Sequence, residues 1–225
     1  SFEQPEKMIK LLNFANLLRN LYGKSNVEEK IQDYVRKEKR STVTTEKFNK
    51  VYTELKAANY FLDKGFRIQF LKERNDKKTP DFQVFAKDGS ALVECKRKKE
   101  QKELLIEGIL DSARDANKQL KNSEIPGIIF IDIPLRPSEP KIIKKIEATS
   151  LGDVFPELET VHYILISFEW TEKQYHKTIP NLGRAYTKSH MFPYQNKMSD
   201  LKLSASLESV MLDITISPPR SLMAD

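Results

Sequence analysis

Apolar residues recur along the first quarter of the chain at helical spacing. Met8, Leu11, Leu12, Ala15, Leu18 and Tyr22 form one stripe, and Gly23 follows as a residue suited to ending a helix. A second short helix is expected over residues 27–35. The basic cluster 36–40 and the polar run 41–45 then mark a boundary between an N-terminal helical extension, residues 1–44, and a main domain, residues 45–225. A third helix is predicted over residues 45–64. Its stripe is Val51, Leu55, Ala58, Phe61 and Leu62, with Gly65 as its C-terminal cap.

The period then shortens to that of strands. Residues 66–71 alternate large side chains, 72–79 are a charged loop, and 81–86 and 91–95 read as two strands. Asp88-Gly89 between them is a dipeptide that favours a two-residue hairpin turn. Helical spacing returns over residues 99–121, with Leu104, Leu105, Ile109, Ala113, Ala116 and Leu120 inward. Residues 127–133 are an almost unbroken apolar run, the pattern of a buried central strand. Pro134, Pro137 and Pro140 interrupt the chain before a short helix over 141–148 and a strand over 162–168. Signals weaken after Thr171. Residues 207–216 read as a last strand, or as a helix that turns into one. The element order predicts a mixed α/β fold with helices on both faces of a small sheet.

Composition narrows the class. The 225 residues are 39% hydrophobic and 31% charged, with mean hydropathy −0.55, as expected of a soluble globular chain. No apolar run reaches the ~18 residues that suggest a membrane span, so no membrane role is expected. Cys95 is the only cysteine, which removes intrachain disulfides and Cys-based zinc sites and fits a reducing, cytoplasmic setting. Net charge is +6 and the isoelectric point about 9.1, a balance that favours a polyanionic partner.

The chemistry concentrates between Thr79 and Lys99. With a two-residue turn at Asp88-Gly89, Gln83 faces Glu94 and Asp81 faces Lys96. Asp81 and Gln83 then share a sheet face with Glu94 and Lys96, while Phe82, Val84, Val93 and Cys95 take the apolar face. On this register Asp81 and Glu94 are diagonal neighbours, about 7–8 Å apart. Two carboxylates at that reach suit one hard cation such as Mg²⁺, which prefers oxygen ligands and keeps several waters. Lys96 on the same side could orient a metal-bound water or stabilise the charge of a pentavalent phosphate. Glu54 shares a helical stripe with Val51, Ala58 and Phe61, where a carboxylate is costly without a partner, and a metal would be one.

Pro80-Asp81, twelve residues, then Glu94-Cys95-Lys96 resembles the signature of the PD-(D/E)XK nuclease superfamily. The likeness runs from about Val51 to Phe168. It implies a restriction-endonuclease-like mixed central sheet flanked by helices and a Mg²⁺-dependent phosphodiester hydrolase, with Mn²⁺ able to substitute. The substrate expected is nucleic acid, DNA first, in a restriction, defence or repair context. It further implies that Asp81, Glu94 and the Cys95 carbonyl hold the metal, that Lys96 assists the attacking water, and that Glu54 is an auxiliary acid. Gln119 resembles a polar residue that some members place beside the site.

Lys77, Lys78, Arg97 and Lys98 are the expected phosphate contacts, set against the plainer reading of a solvated strand end and loop. His162, His176 and His190 show no ligand spacing. A homodimer or a larger parent protein is compatible with the chain. The alternative to catalysis is a non-cleaving nucleic-acid-binding or interaction module of the same fold.

Overall fold

The computed structural model describes residues 4–38, 45–72, 79–98, 106–121, 123–134, 157–175, 183–196, 199 and 201–213. In chain order the elements are α1 (Gln4–Leu21), α2 (Val27–Glu38), α3 (Thr45–Asp63), β1 (Arg67–Phe70), β2 (Phe82–Phe85), β3 (Ser90–Arg97), α4 (Ile106–Leu120), β4 (Gly127–Ile133), β5 (Val161–Tyr175), β6 (Gly183–Gln195) and α5 (Ala205–Asp213). The strands form one open sheet in the order β1-β2-β3-β4-β5-β6. The pairs β3/β4 and β4/β5 are parallel and the other three antiparallel. The fold is therefore α/β with a six-stranded mixed sheet.

Two cores sandwich that sheet. Beneath α3, Leu55, Ala58 and Phe61 pack on Phe82, Val84, Val93, Cys95 and Phe130, joined by Leu21 and Val27 from the N-terminal helices and Leu207 and Met211 from α5. On the other face Ile109, Ala113, Ala116 and Leu120 of α4 cover Leu92, Ile129, Ile131, Ile164 and Ile166. Every residue of β4 is buried, as its apolar run predicts. The N-terminal helices thus share the core beneath α3.

Gly65 ends α3 as expected. Its φ of 87° is one that side-chain-bearing residues avoid, and its N–H reaches Leu62 O at 2.9 Å while that of Phe66 reaches Phe61 O at 3.1 Å. Of the stripe read on α1, Leu18 packs inward, but Met8, Leu11, Leu12 and Tyr22 are exposed, and Phe14, Leu17 and Leu21 take the inward flank instead. That helix carries apolar residues on both flanks, so periodicity alone does not fix which flank is covered.

The β2–β3 connection also departs from expectation. The last pair is Phe85↔Ser90, and Ala86 N–H donates to Gly89 O at 2.8 Å, so the loop spans residues 86–89. A two-residue type I′ turn needs positive φ at both positions, and among the described glycines only Gly23 and Gly65 have it. Asp88 is instead engaged with α5, accepting from Ser206 N–H at 3.1 Å at that helix's first turn. The register shifts by two residues, which preserves side-chain parity.

Sequence signals underestimate the far edge of the sheet. β5 extends to Tyr175, and β6 carries Pro193 inside a strand, as an edge position tolerates. Residues 205–213 are helical. The helix expected over 141–148 and the first part of the one expected over 99–121 lie outside the described residues.

Candidate metal centre

Asp81 occupies a bend immediately before β2, and its backbone is held from both sides. Its N–H donates to Val93 O at 3.0 Å and its carbonyl accepts from Leu71 N–H at 3.0 Å. The ladder ends at Phe82↔Val93 and Asp81 lies just beyond it, tied through its backbone to Val93 and through its side chain to Cys95, the two residues that flank Glu94. The Asp81 carboxylate is aimed by one further contact, a 2.8 Å hydrogen bond from Cys95 N–H to Oδ2.

Glu94 and Lys96 project toward α4. Lys96 Nζ lies 3.0 Å from Glu94 Oε1 and 3.0 Å from Asp115 Oδ2, and Gln119 donates to the same Glu94 oxygen. The other oxygen, Oε2, is buried without a hydrogen-bond partner among the described residues. A buried, unpartnered carboxylate oxygen is costly. It is the atom here that a cation would satisfy.

Glu54 is 1% exposed and rises from α3 on the opposite face of the sheet. Its carboxylate is met by Lys30 at 2.5 Å and Lys50 at 3.8 Å. Among the described residues no three His, Cys, Asp or Glu side chains gather into a group able to hold a metal. The carboxylate ligands on offer to a cation are therefore Asp81 and Glu94, with water or backbone oxygen completing a shell. That suits Mg²⁺, which commonly takes one or two carboxylates.

The three acids still sense one another. Burial, then Glu94, pushes Asp81 up to about 6. Burial pushes Glu94 up to about 7, against the pull of Lys96. Glu54 rises to about 7 through burial and then Asp81, with Lys30 and Lys50 opposing. Burial works against a charged Lys96, but Glu94 and Asp115 overcome it and hold the ammonium protonated. The Cys95 thiol lies in the core beneath α3, and burial drives its pKa far up, so only its backbone could serve a metal.

The expected phosphate contacts fare unevenly. A groove of about 630 Å³ beside the centre is lined by Lys50, Thr53, Glu94, Lys96, Arg97 and Lys98 among others. Arg97 does not present its charge to solvent. Its side chain is 11% exposed and its guanidinium pairs with Asp132, which is itself 0% exposed. Lys56 joins the same carboxylate at 2.8 Å and Glu169 at 2.9 Å, and Thr53 donates to Asp132 Oδ2 at 3.1 Å. Lys98 donates to Gly108 O at 2.9 Å in the first turn of α4. Lys77 and Lys78 lie outside the described residues.

Sequence reading missed Lys30, Asp115 and Asp132. Two of them leave a signal. Lys30 shares the inward flank of α2 with Val27, Ile31 and Tyr34, and Asp132 is the lone charge in an otherwise apolar strand. Among the described residues no helix is long and apolar enough to cross a membrane. No protein-family model matches this sequence, and no curated protein matches it.

Proposed function

We propose that this chain is a metal-dependent nuclease with a restriction-endonuclease-like core of PD-(D/E)XK type. The observation that carries the reading is that Asp81 is tied to Val93 and Cys95 on either side of Glu94, with Lys96 3.0 Å from Glu94 and one Glu94 oxygen without a hydrogen-bond partner among the described residues. Asp81 and Glu94 would hold a divalent ion, which when bound would supply Lewis-acid polarisation of a phosphate and lower the pKa of water. Cys95 N–H fixes the Asp81 carboxylate, and Gln119 fixes that of Glu94. Lys96, kept protonated by two carboxylates, donates to the attacking water or to a phosphate oxygen and offsets the charge that builds in the transition state. The groove beside the centre, lined by Lys50, Lys96 and Lys98 as well as by Glu46 and Glu94, is where we place a nucleic-acid backbone, and DNA is the substrate we assign to it.

The decisive experiment is a cleavage panel of linear, circular, branched and single-stranded DNA and RNA with Mg²⁺, Mn²⁺, Ca²⁺ or EDTA. Cleavage in Mg²⁺ or Mn²⁺ and none in EDTA is expected. A second reading, a non-cleaving binding module, draws on the lack of a three-ligand acidic group among the described residues. Binding without cleavage across the whole panel would select it.

A further inference from the structure

The chain carries a cation of its own into the acidic centre. Lys30 comes from α2, its side chain is 15% exposed, and its Nζ stands 2.5 Å from Glu54 Oε2 and 5.9 Å from the centroid of the Phe70 ring. Its position is built, not incidental. Asn26, just before α2, accepts from Phe70 N–H at 2.7 Å and donates to Phe70 O at 3.0 Å, making at the edge of β1 the bonds that another strand would make. Leu21 and Val27 anchor the adjoining helices in the core beneath α3.

The charges around the centre then divide in a definite way. On the α3 side Glu54 is countered by the part-buried Lys30 at one oxygen and, at 3.8 Å, by the exposed Lys50 at the other. On the α4 side Lys96 is shared between Glu94 and Asp115. One divalent ion at Asp81 and Glu94 balances two carboxylates. A second ion at Glu54 would have to take the oxygen that Lys30 already holds, against the repulsion of a buried ammonium. Glu54 and Asp81 together raise the Lys30 pKa despite its burial, so it stays charged at neutral pH.

We infer that Lys30 takes the place of a second metal ion at Glu54, so that the centre binds a single divalent cation and the N-terminal helices are part of it. This rests on the metal-binding reading of Asp81 and Glu94. It makes Lys30 a positioning residue and not a ligand.

The test counts Mn²⁺ bound to the full chain by electron paramagnetic resonance of the free ion, with circular dichroism as the check on folding. One ion is expected for the wild type and for Lys30→Arg, two for Lys30→Met, and one again for Lys30→Met combined with Glu54→Gln. If Lys30→Met does not fold, Lys30→Gln replaces it with the same expectation, because it removes the ammonium's charge while keeping a polar side chain that an incoming ion can displace from Glu54. Two ions in the wild type overturn the inference, as does one ion in a folded Lys30→Met or Lys30→Gln. Those results leave the metal reading standing, whereas a wild type that binds no ion overturns both.

Discussion

Cys95 N–H donates to Asp81 Oδ2 at 2.8 Å, which ties the carboxylate at the start of β2 to the backbone of the strand that carries Glu94 and Lys96. The hairpin thus sets the spacing between the two acids through main-chain geometry. A side chain such as that of Lys96 can be removed from the centre without disturbing that frame.

Lys96→Ala should cut turnover to a small residual level while sparing substrate binding. The ammonium acts where charge develops, and removing one such group typically costs ~10²–10³ in rate. Cleavage rate and substrate Kd, measured separately, check this. A wild-type rate in the variant removes Lys96 from the catalytic reading.

Stability should depend on pH in a direction that metal reverses. The folded pKa of Asp81 is raised to about 6 and those of Glu54 and Glu94 to about 7, all above ordinary unfolded carboxyl values. For an acid raised on folding, the native state binds more protons than the unfolded state. The associated stability is present below the unfolded pKa, about 4, and is lost as pH rises through the folded values of about 6 and 7. Mg²⁺ binds the ionised acids and should restore what was lost, so the Mg²⁺-induced gain in melting temperature should be larger at pH 8 than at pH 5.5. Equal gains at the two pH values would contradict the carboxylate site.

Asp132 should govern folding and not binding. It is buried and compensates Arg97 and Lys56, so Asp132→Ala leaves Arg97 without this counter-charge and Lys56 with Glu169 alone. Breaking a buried pair by removing one partner costs about 3–5 kcal/mol. Denaturant unfolding should show a loss of that size. Arg97→Gln should lower stability too, and should leave the salt dependence of nucleic-acid affinity unchanged. A flattened salt slope in Arg97→Gln would return Arg97 to the phosphate contacts.

The centre was legible in the sequence to the extent that parity determines it. Alternation along residues 91–97 puts Glu94 and Lys96 on one face whatever the loop length, while Asp81 stands in a bend before β2 and is held beside them by its bonds to Val93 and Cys95. Which residues stand opposite one another was not legible, because Asp88 serves α5, more than a hundred residues away in the chain. Glu54 was found from a charge on an apolar stripe, and the same rule applied to α2 and β4 points to Lys30 and Asp132. Asp115 left no such mark, since it lies on the partly exposed flank of α4 and meets Lys96 only through the packing of helix on sheet. The phase of α1 and the extent of β5 and β6 failed for a related reason. Where both flanks of an element carry apolar residues, or polar residues fill an edge strand, only the tertiary neighbours decide what is covered.

Glu54 offers the sharpest test of how the acids and lysines are coupled. Neutralising it as Glu54→Gln leaves the Lys30 ammonium without its nearest counter-charge, and Lys30 is close enough to Asp81 for that acid to raise its pKa. The uncompensated charge then opposes a cation at Asp81, so the Mg²⁺ concentration for half-maximal cleavage should rise. Removing Lys30 as well, in Glu54→Gln with Lys30→Met, should bring the midpoint back toward the wild-type value. The double-mutant cycle should return a coupling of about 0.5–3 kcal/mol, the usual range for groups in direct contact. If Glu54 were an ordinary metal ligand, the double variant would bind Mg²⁺ as poorly as Glu54→Gln alone. If Glu54 served only the helix, Glu54→Gln would change the melting temperature and leave the Mg²⁺ midpoint where it was. Cleavage rate against Mg²⁺ concentration, beside thermal melting for the four proteins, separates the three cases.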